Sequence, residues 1–277
     1  CLGIQLKPFE FLKFGTIAIP LIIVCIISVL IVIKLLIKKL RISTKMAYLI
    51  SIGSTVCGTT AIMATAPVIK ASKGEVAYAI ANMTIFGIIS MLIYPYFANI
   101  YFNGEPLFVG LFLGTAIHET SQVAAAGLIY DQQYNSPETL NIATVTKLIR
   151  NTFLVIMIPL FAFLYNRGKT KNKSYSLLDI FPYFVLGFIG MIIFRNIGDQ
   201  IFLTENVQQF WQGSISNIKD SAKIFLSMAM AAVGLSTNLK DLRSMGYKPF
   251  IVGFVAMITV GLVSILTMES FAKFFFY

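Results

Sequence analysis

Five consecutive polar residues, His118, Glu119, Thr120, Ser121 and Gln122, interrupt the otherwise apolar stretch Leu107–Ala126. An ionisable side chain within hydrocarbon is expensive, and where one occurs it faces a partner or a water-filled cavity. Imidazole and carboxylate are the groups that carry protons in such places, so His118 and Glu119 are assigned to proton or ion coupling. On an unbroken helix these neighbours would point about 100° apart, while His118 and Gln122, one turn apart, would share a face. An inert buried hydrogen-bond network, or a water-exposed helix end, would use the same residues.

Three other stretches carry candidate chemistry. In Ser51–Pro67 the residues Gly53, Ser54, Thr55, Cys57, Gly58, Thr59 and Thr60 crowd the middle of an apolar segment. Small residues permit close helix packing, but hydroxyls and freed backbone N–H groups can also hold an ion, and the density of Thr and Ser with Pro67 favours a broken helix lining a site. Lys147 and Arg150 sit three apart on one helical face, just inside the next apolar stretch. They are placed to neutralise Glu119, to attract an anion, or to snorkel to headgroups. Met228–Asn238 runs from small residues into Gly234, Ser236, Thr237 and Asn238, which fits a second interrupted helix or an ordinary capped helix end. Gly53, Thr55, Cys57, Gly58, Thr59, Thr60 and Gln122 are the proposed substrate contacts, with Lys147 and Arg150 supplying charge.

The elements that position these residues follow from composition. The 277 residues are 57% hydrophobic and 12% charged, with mean hydropathy +0.80, against about 25% charged in a soluble domain. Eight stretches are long and apolar enough to cross a bilayer: Thr16–Ile33, Ala47–Ile69, Val76–Tyr101, Leu107–Ala126, Ile142–Tyr165, Leu177–Phe194, Ile218–Leu235 and Pro249–Thr267. The expectation is an all-α, polytopic membrane protein forming one transmembrane domain over residues 1–277. The segment Leu2–Ile4 reads like a helix already under way, so N-terminal truncation is expected.

The formal charge of +10 is concentrated in short loops, which points to membrane orientation rather than nucleic acid as a partner. The loop with Lys34, Lys38, Lys39, Arg41 and Lys45 is assigned to the cytoplasm, and strict alternation of eight spans brings Arg167–Lys173 and Lys240–Lys248 to the same side. Lys70 and Lys73 then fall outside, a misfit that a span which does not simply cross would remove. Cys1, Cys25 and Cys57 lack metal-ligand or redox spacing, and one histidine is present, so neither a disulfide nor a metal site is expected. A phosphate-binding loop and an HExxH motif are absent, so ATP-driven transport and enzymatic activity are not expected, nor is a cofactor.

The runs Val56–Ala71, Gly114–Gly127 and Thr146–Asn151, with Gly234–Leu239 followed by Gly246–Phe250, resemble the bacterial YeiH-like membrane proteins, a family named for sulfate export. The resemblance implies a plan similar to bile-acid/sodium symporters and sodium–proton antiporters: about ten helices, inverted repeats, and two broken helices crossing at a central site. It would make Gly53–Pro67 one broken helix and Ala222–Asn238 the other, with about two N-terminal helices missing. The family pattern often has Asp where this chain has Glu119. A faint echo between Gly3–Gly15 and Gly234–Gly246 is in keeping with inverted repeats.

Together these readings describe a secondary transporter of a small anion, with sulfate export the named candidate, in a bacterial cytoplasmic (inner) membrane. Its partners are the anion, a coupling proton or sodium ion, and the lipid bilayer; a homodimer is left open. A cation exchanger would use the same His118 and Glu119 without needing Lys147 and Arg150. A membrane scaffold or sensor would need none of them.

Overall fold

The computed structural model describes residues 8–167, 184–201, 205–235 and 246–275, and the described residues are helical apart from short connections. Among the described residues, four helical stretches are long and apolar enough to cross a membrane: Gly15–Leu40, Lys73–Tyr101, Pro137–Tyr165 and Lys248–Ser270. The all-α polytopic class read from composition is therefore the fold observed. What composition did not reveal is that two of the apolar stretches between these spans enter and leave by the same face.

Helix α1 (Pro8–Leu40) ends with Lys38 and Lys39 in its last turn, and the chain turns at Arg41 into α2 (Thr44–Thr55). Ser43 caps α2 by accepting a hydrogen bond from the Met46 amide. The helix stops at Thr55, and after Val56–Gly58 a second short helix, α3 (Thr59–Thr65), runs back alongside it. At Gly53 an added Cβ would lie 2.9 Å from the Ile62 side chain. Lys45 Nζ donates to the Lys70 carbonyl at 2.5 Å, and Ser43 Oγ donates to Glu75 at 2.8 Å. Both ends of this segment thus lie together, and Ala47–Ile69 is a re-entrant hairpin rather than a crossing span.

Helix α4 (Lys73–Tyr101) opens with a reciprocal capping box between Ser72 and Glu75 and crosses to the opposite face. There α5 (Pro106–Ala116) begins with proline in its first turn, stops, and is followed after Ile117–Glu119 by α6 (Thr120–Tyr134), which ends on a left-handed Asn135. Gln122 lies level with Thr84 of α4, whereas the Tyr130 hydroxyl donates to Asn99 at 2.8 Å. Because α4 runs from Lys73 towards Tyr101, α6 must run back to the face where α5 began. Leu107–Ala126 is thus also one limb and tip of a re-entrant hairpin, not a span.

The remaining span is divided: α7 (Pro137–Thr152) gives way at Phe153 to α8 (Leu154–Arg167). Tyr48 stacks edge-on against Phe161 and Tyr165, which returns α8 to the face of Lys45. The pair α9 (Phe184–Ile201) and α10 (Glu205–Leu235) is joined by Trp211, which donates to Asp199 at 2.8 Å. Last, α11 (Lys248–Phe275) lies along α1 and α4, with Asn82 donating to the Pro249 carbonyl at 2.8 Å at one end and Tyr101 bonded to Glu269 at the other.

Span followed by hairpin occurs twice in opposite directions, as α1 with α2–α3 and as α4 with α5–α6, an inverted arrangement. The apolar core fills the space between α1, both hairpins, α7 and α11. The two expectations corrected are thus the spans Ala47–Ile69 and Leu107–Ala126, which belong to hairpins. An interruption lies at Ile117–Glu119, and α10 is helical without a break through Ala222–Leu235, Gly234 included. The two hairpin interruptions, at Val56–Gly58 and Ile117–Glu119, meet tip to tip. Ser236, Thr237 and Asn238, and most of the echo segments, lie outside the described residues.

Candidate functional site

A helix that stops inside a bilayer leaves its last carbonyl groups without partners, and its C-terminus carries about half a negative charge. Both outgoing limbs, α2 and α5, stop in this way. Their tips converge on α7, where Lys147 and Arg150 sit one turn apart and fully buried (0% and 2% exposed). Snorkelling to headgroups is therefore not their role.

Lys147 Nζ donates to the carbonyls of Val56 at 2.9 Å, Ile117 at 3.0 Å and His118 at 2.5 Å. An ammonium group has three protons to donate, so it is saturated. Arg150 Nε donates to the Thr55 carbonyl at 2.9 Å, Nη1 to those of Thr115 at 2.6 Å and Ile117 at 3.1 Å, and Nη2 to that of Ser54. Six carbonyls, three from each tip, are thus held by two cations of a third helix. The packing that allows it is close: at Gly114 a Cβ would lie 2.6 Å from the Ala143 carbonyl and from Thr146 of α7.

The returning limbs present the opposite polarity. Glu119 occupies the cap position of α6 but makes no capping bond there. Its carboxylate reaches across to the other tip, where Oε1 accepts the Thr59 amide proton at 3.1 Å. Gly58 is needed for this contact twice over. Its φ of +59° and ψ of −121° are open only to glycine, and an added Cβ would lie 2.7 Å from Glu119 Cγ.

The residues proposed from sequence as substrate contacts are brought together around the two tips, with differing exposure. Thr55 and Cys57 are buried, and the Thr55 hydroxyl is spent on the Ser51 carbonyl at 2.8 Å. Gly53 is closed off by Ile62 and Met83. Thr60 is half-buried, as are Glu119 and Thr120, while Ser121 is exposed. Gln122 donates weakly to the Thr84 carbonyl at 3.4 Å, and its Oε1 has no partner in the protein. His118 is wholly buried, and neither ring nitrogen makes a hydrogen bond of normal geometry. Because the chain is extended here, His118 and Glu119 do not hold the helical angles, and His118 and Gln122 do not share the helical face, expected from sequence.

Asn151 was not singled out from the sequence. It donates to the Thr120 hydroxyl at 3.1 Å, and its buried Oδ1 is unpartnered. Thr115, joined to Ser264 of α11 at 2.6 Å, was missed likewise. The signal for both was position: each lies within a residue or two of a cation or a break already identified.

The protein-family model described as Conserved hypothetical protein 698 matches residues 1–253. The chain is 37% identical to the UPF0324 membrane protein FN0533 of Fusobacterium nucleatum, over 95% of this chain and 78% of the relative. It is 35% identical to the UPF0324 membrane protein SAG1125 of Streptococcus agalactiae, over 97% and 77%. A UPF0324 membrane protein of Clostridium tetani is 31% identical, over 98% and 78%. No solved structure matches.

Proposed function

The chain belongs to the Conserved hypothetical protein 698 family of membrane proteins, and we propose that it is a multi-pass secondary transporter of a small anion in a bacterial cytoplasmic membrane. The observation that carries this reading is the charge balance at the hairpin tips. Two helix C-termini and two helix N-termini meet there, each worth about half a charge, and so nearly cancel. Lys147 and Arg150 bring two positive charges, and the carboxylate of Glu119 brings one negative. The excess is positive and sits in low dielectric, where it attracts an anion.

The donors left for such a ligand are the first-turn amides of α6 and the hydroxyls of Thr60, Thr120 and Ser121, while the unpartnered Oε1 of Gln122 and Oδ1 of Asn151 are acceptors. Helix N-termini with hydroxyl neighbours suit tetrahedral oxyanions. Sulfate is the first candidate, supported by resemblance to the YeiH-like family. Of the coupling pair, Glu119 is the accessible member, so the proton or ion response is assigned to it, with His118 behind it. Nothing at the tips calls for a catalytic role.

The test is uptake of radiolabelled sulfate into proteoliposomes, with and without an imposed pH gradient, for the wild type and Glu119→Gln. Gradient-driven flux that the variant loses is the expected result. If sulfate does not move while protons exchange for sodium, the cation-exchanger reading replaces this one. Absence of all solute flux from folded protein leaves a scaffold or sensor.

A further inference from the structure

Freed backbone carbonyls at the ends of interrupted helices are, in membrane carriers generally, where a coupling sodium ion is coordinated. In this protein the corresponding carbonyls are already engaged. Ser54, Thr55 and Val56 from one tip, and Thr115, Ile117 and His118 from the other, point at Lys147 Nζ and the Arg150 guanidinium. The distances for Lys147, between 2.5 and 3.0 Å, are those of charge-assisted hydrogen bonds, and the ammonium has no proton left to donate.

We propose that Lys147 and Arg150 are tethered substitutes for a coupling sodium ion, and that this transporter therefore works without sodium. The inference rests on the transporter reading given above and specifies its coupling. Three observations support it together. Both cations are buried, so a sodium ion entering the tips would meet two like charges without water to screen them. The one carboxylate at the tips, Glu119, is turned away from the carbonyl cluster and onto the Thr59 amide. Each cation also bridges both hairpins, which is the structural task that an ion bound between two half-helices performs. A cation fixed to α7 does this permanently, so closure of the tips does not wait on ion binding.

Two measurements on the full chain decide the matter. The first is thermal unfolding of the purified protein in detergent with sodium, potassium or choline chloride at equal ionic strength. An ion that binds only the folded state raises Tm, so the expected result is the same Tm in all three salts, and a sodium-specific rise overturns the proposal. The second is sulfate flux in proteoliposomes with sodium replaced by choline on both sides. Equal flux is expected, and a tenfold or greater loss overturns the proposal. Failure of all sulfate flux would count against the transport reading, while the unfolding measurement would still decide the occupancy of the carbonyl cluster.

Discussion

Replacing Arg150 with methionine keeps much of the side-chain volume and removes every donor. Four carbonyls lose their bond to the guanidinium; Ile117 keeps Lys147, so those of Ser54, Thr55 and Thr115 lose the cation altogether. A buried acceptor deprived of its partner costs about 1–3 kcal/mol, which puts the loss on the order of 5 kcal/mol for the three together. For a large domain, about 1 kcal/mol moves the midpoint by roughly 2–4 °C, so thermal unfolding in mild detergent should show Tm lower by about 10 °C or more. Arg150→Lys, with three donors and no fork, should fall between the variant and the wild type. A methionine variant unfolding within about 2 °C of the wild type would refute the reasoning, because the tip carbonyls would then be satisfied without the cation.

Gly58→Ala combines a left-handed φ with a 2.7 Å contact to Glu119; it should cost about 2–3 kcal/mol and depress sulfate flux, read by unfolding and by uptake. Glu119→Gln can still accept the Thr59 amide proton through its amide oxygen, so its Tm should stay within about 3 °C while the response to a pH gradient disappears. Persistence of that response would remove Glu119 from coupling. With Cys25 and Cys57 buried and Cys1 replaced by serine, single cysteines placed at Lys39, Lys70 and Glu105 should report the hairpin topology: a membrane-impermeant thiol reagent should reach positions 39 and 70 from one side and position 105 from the other.

The candidate site was legible in the sequence wherever cost betrayed function. Polar or charged residues in apolar stretches drew attention to His118–Gln122, Lys147 and Arg150, and the structure gathers all of them at two hairpin tips. Their partners were not legible. Six backbone carbonyls carry no side-chain identity, so no residue pattern could show that Lys147 and Arg150 face helix ends rather than a carboxylate. The break at Ile117–Glu119 was not legible for a related reason. Ile117-His118-Glu119 contains neither glycine nor proline, and its polar run reads equally well on a continuous helix. The Gly234–Asn238 segment has the glycine and hydroxyls of a break, yet Gly234 itself lies within α10, and Ser236, Thr237 and Asn238 lie outside the described residues.

Topology shows how a wrong count can survive its own check. Alternation through eight spans put the loops around Lys38 and Arg167 on one face, and this agreement argued against any miscounted span between them. Counting each hairpin as a crossing, however, makes two errors that leave the parity of everything after the second one unchanged. Only the interval between them is inverted, and that is the interval that holds the misfit of Lys70 and Lys73. With both hairpins folded back, Lys45 bonds the Lys70 carbonyl and Ser43 bonds Glu75, so Lys70 and Lys73 join Lys38, Lys39 and Arg41 on one face. The loop around Glu105 moves to the opposite face, with Asp131 and Glu138. A residual charge anomaly confined to one interval is thus a sequence-level sign of paired re-entrant segments. It points to the same two stretches as their excess of small and polar residues, because a hairpin tip held in mid-membrane needs both close packing and partners for its freed backbone.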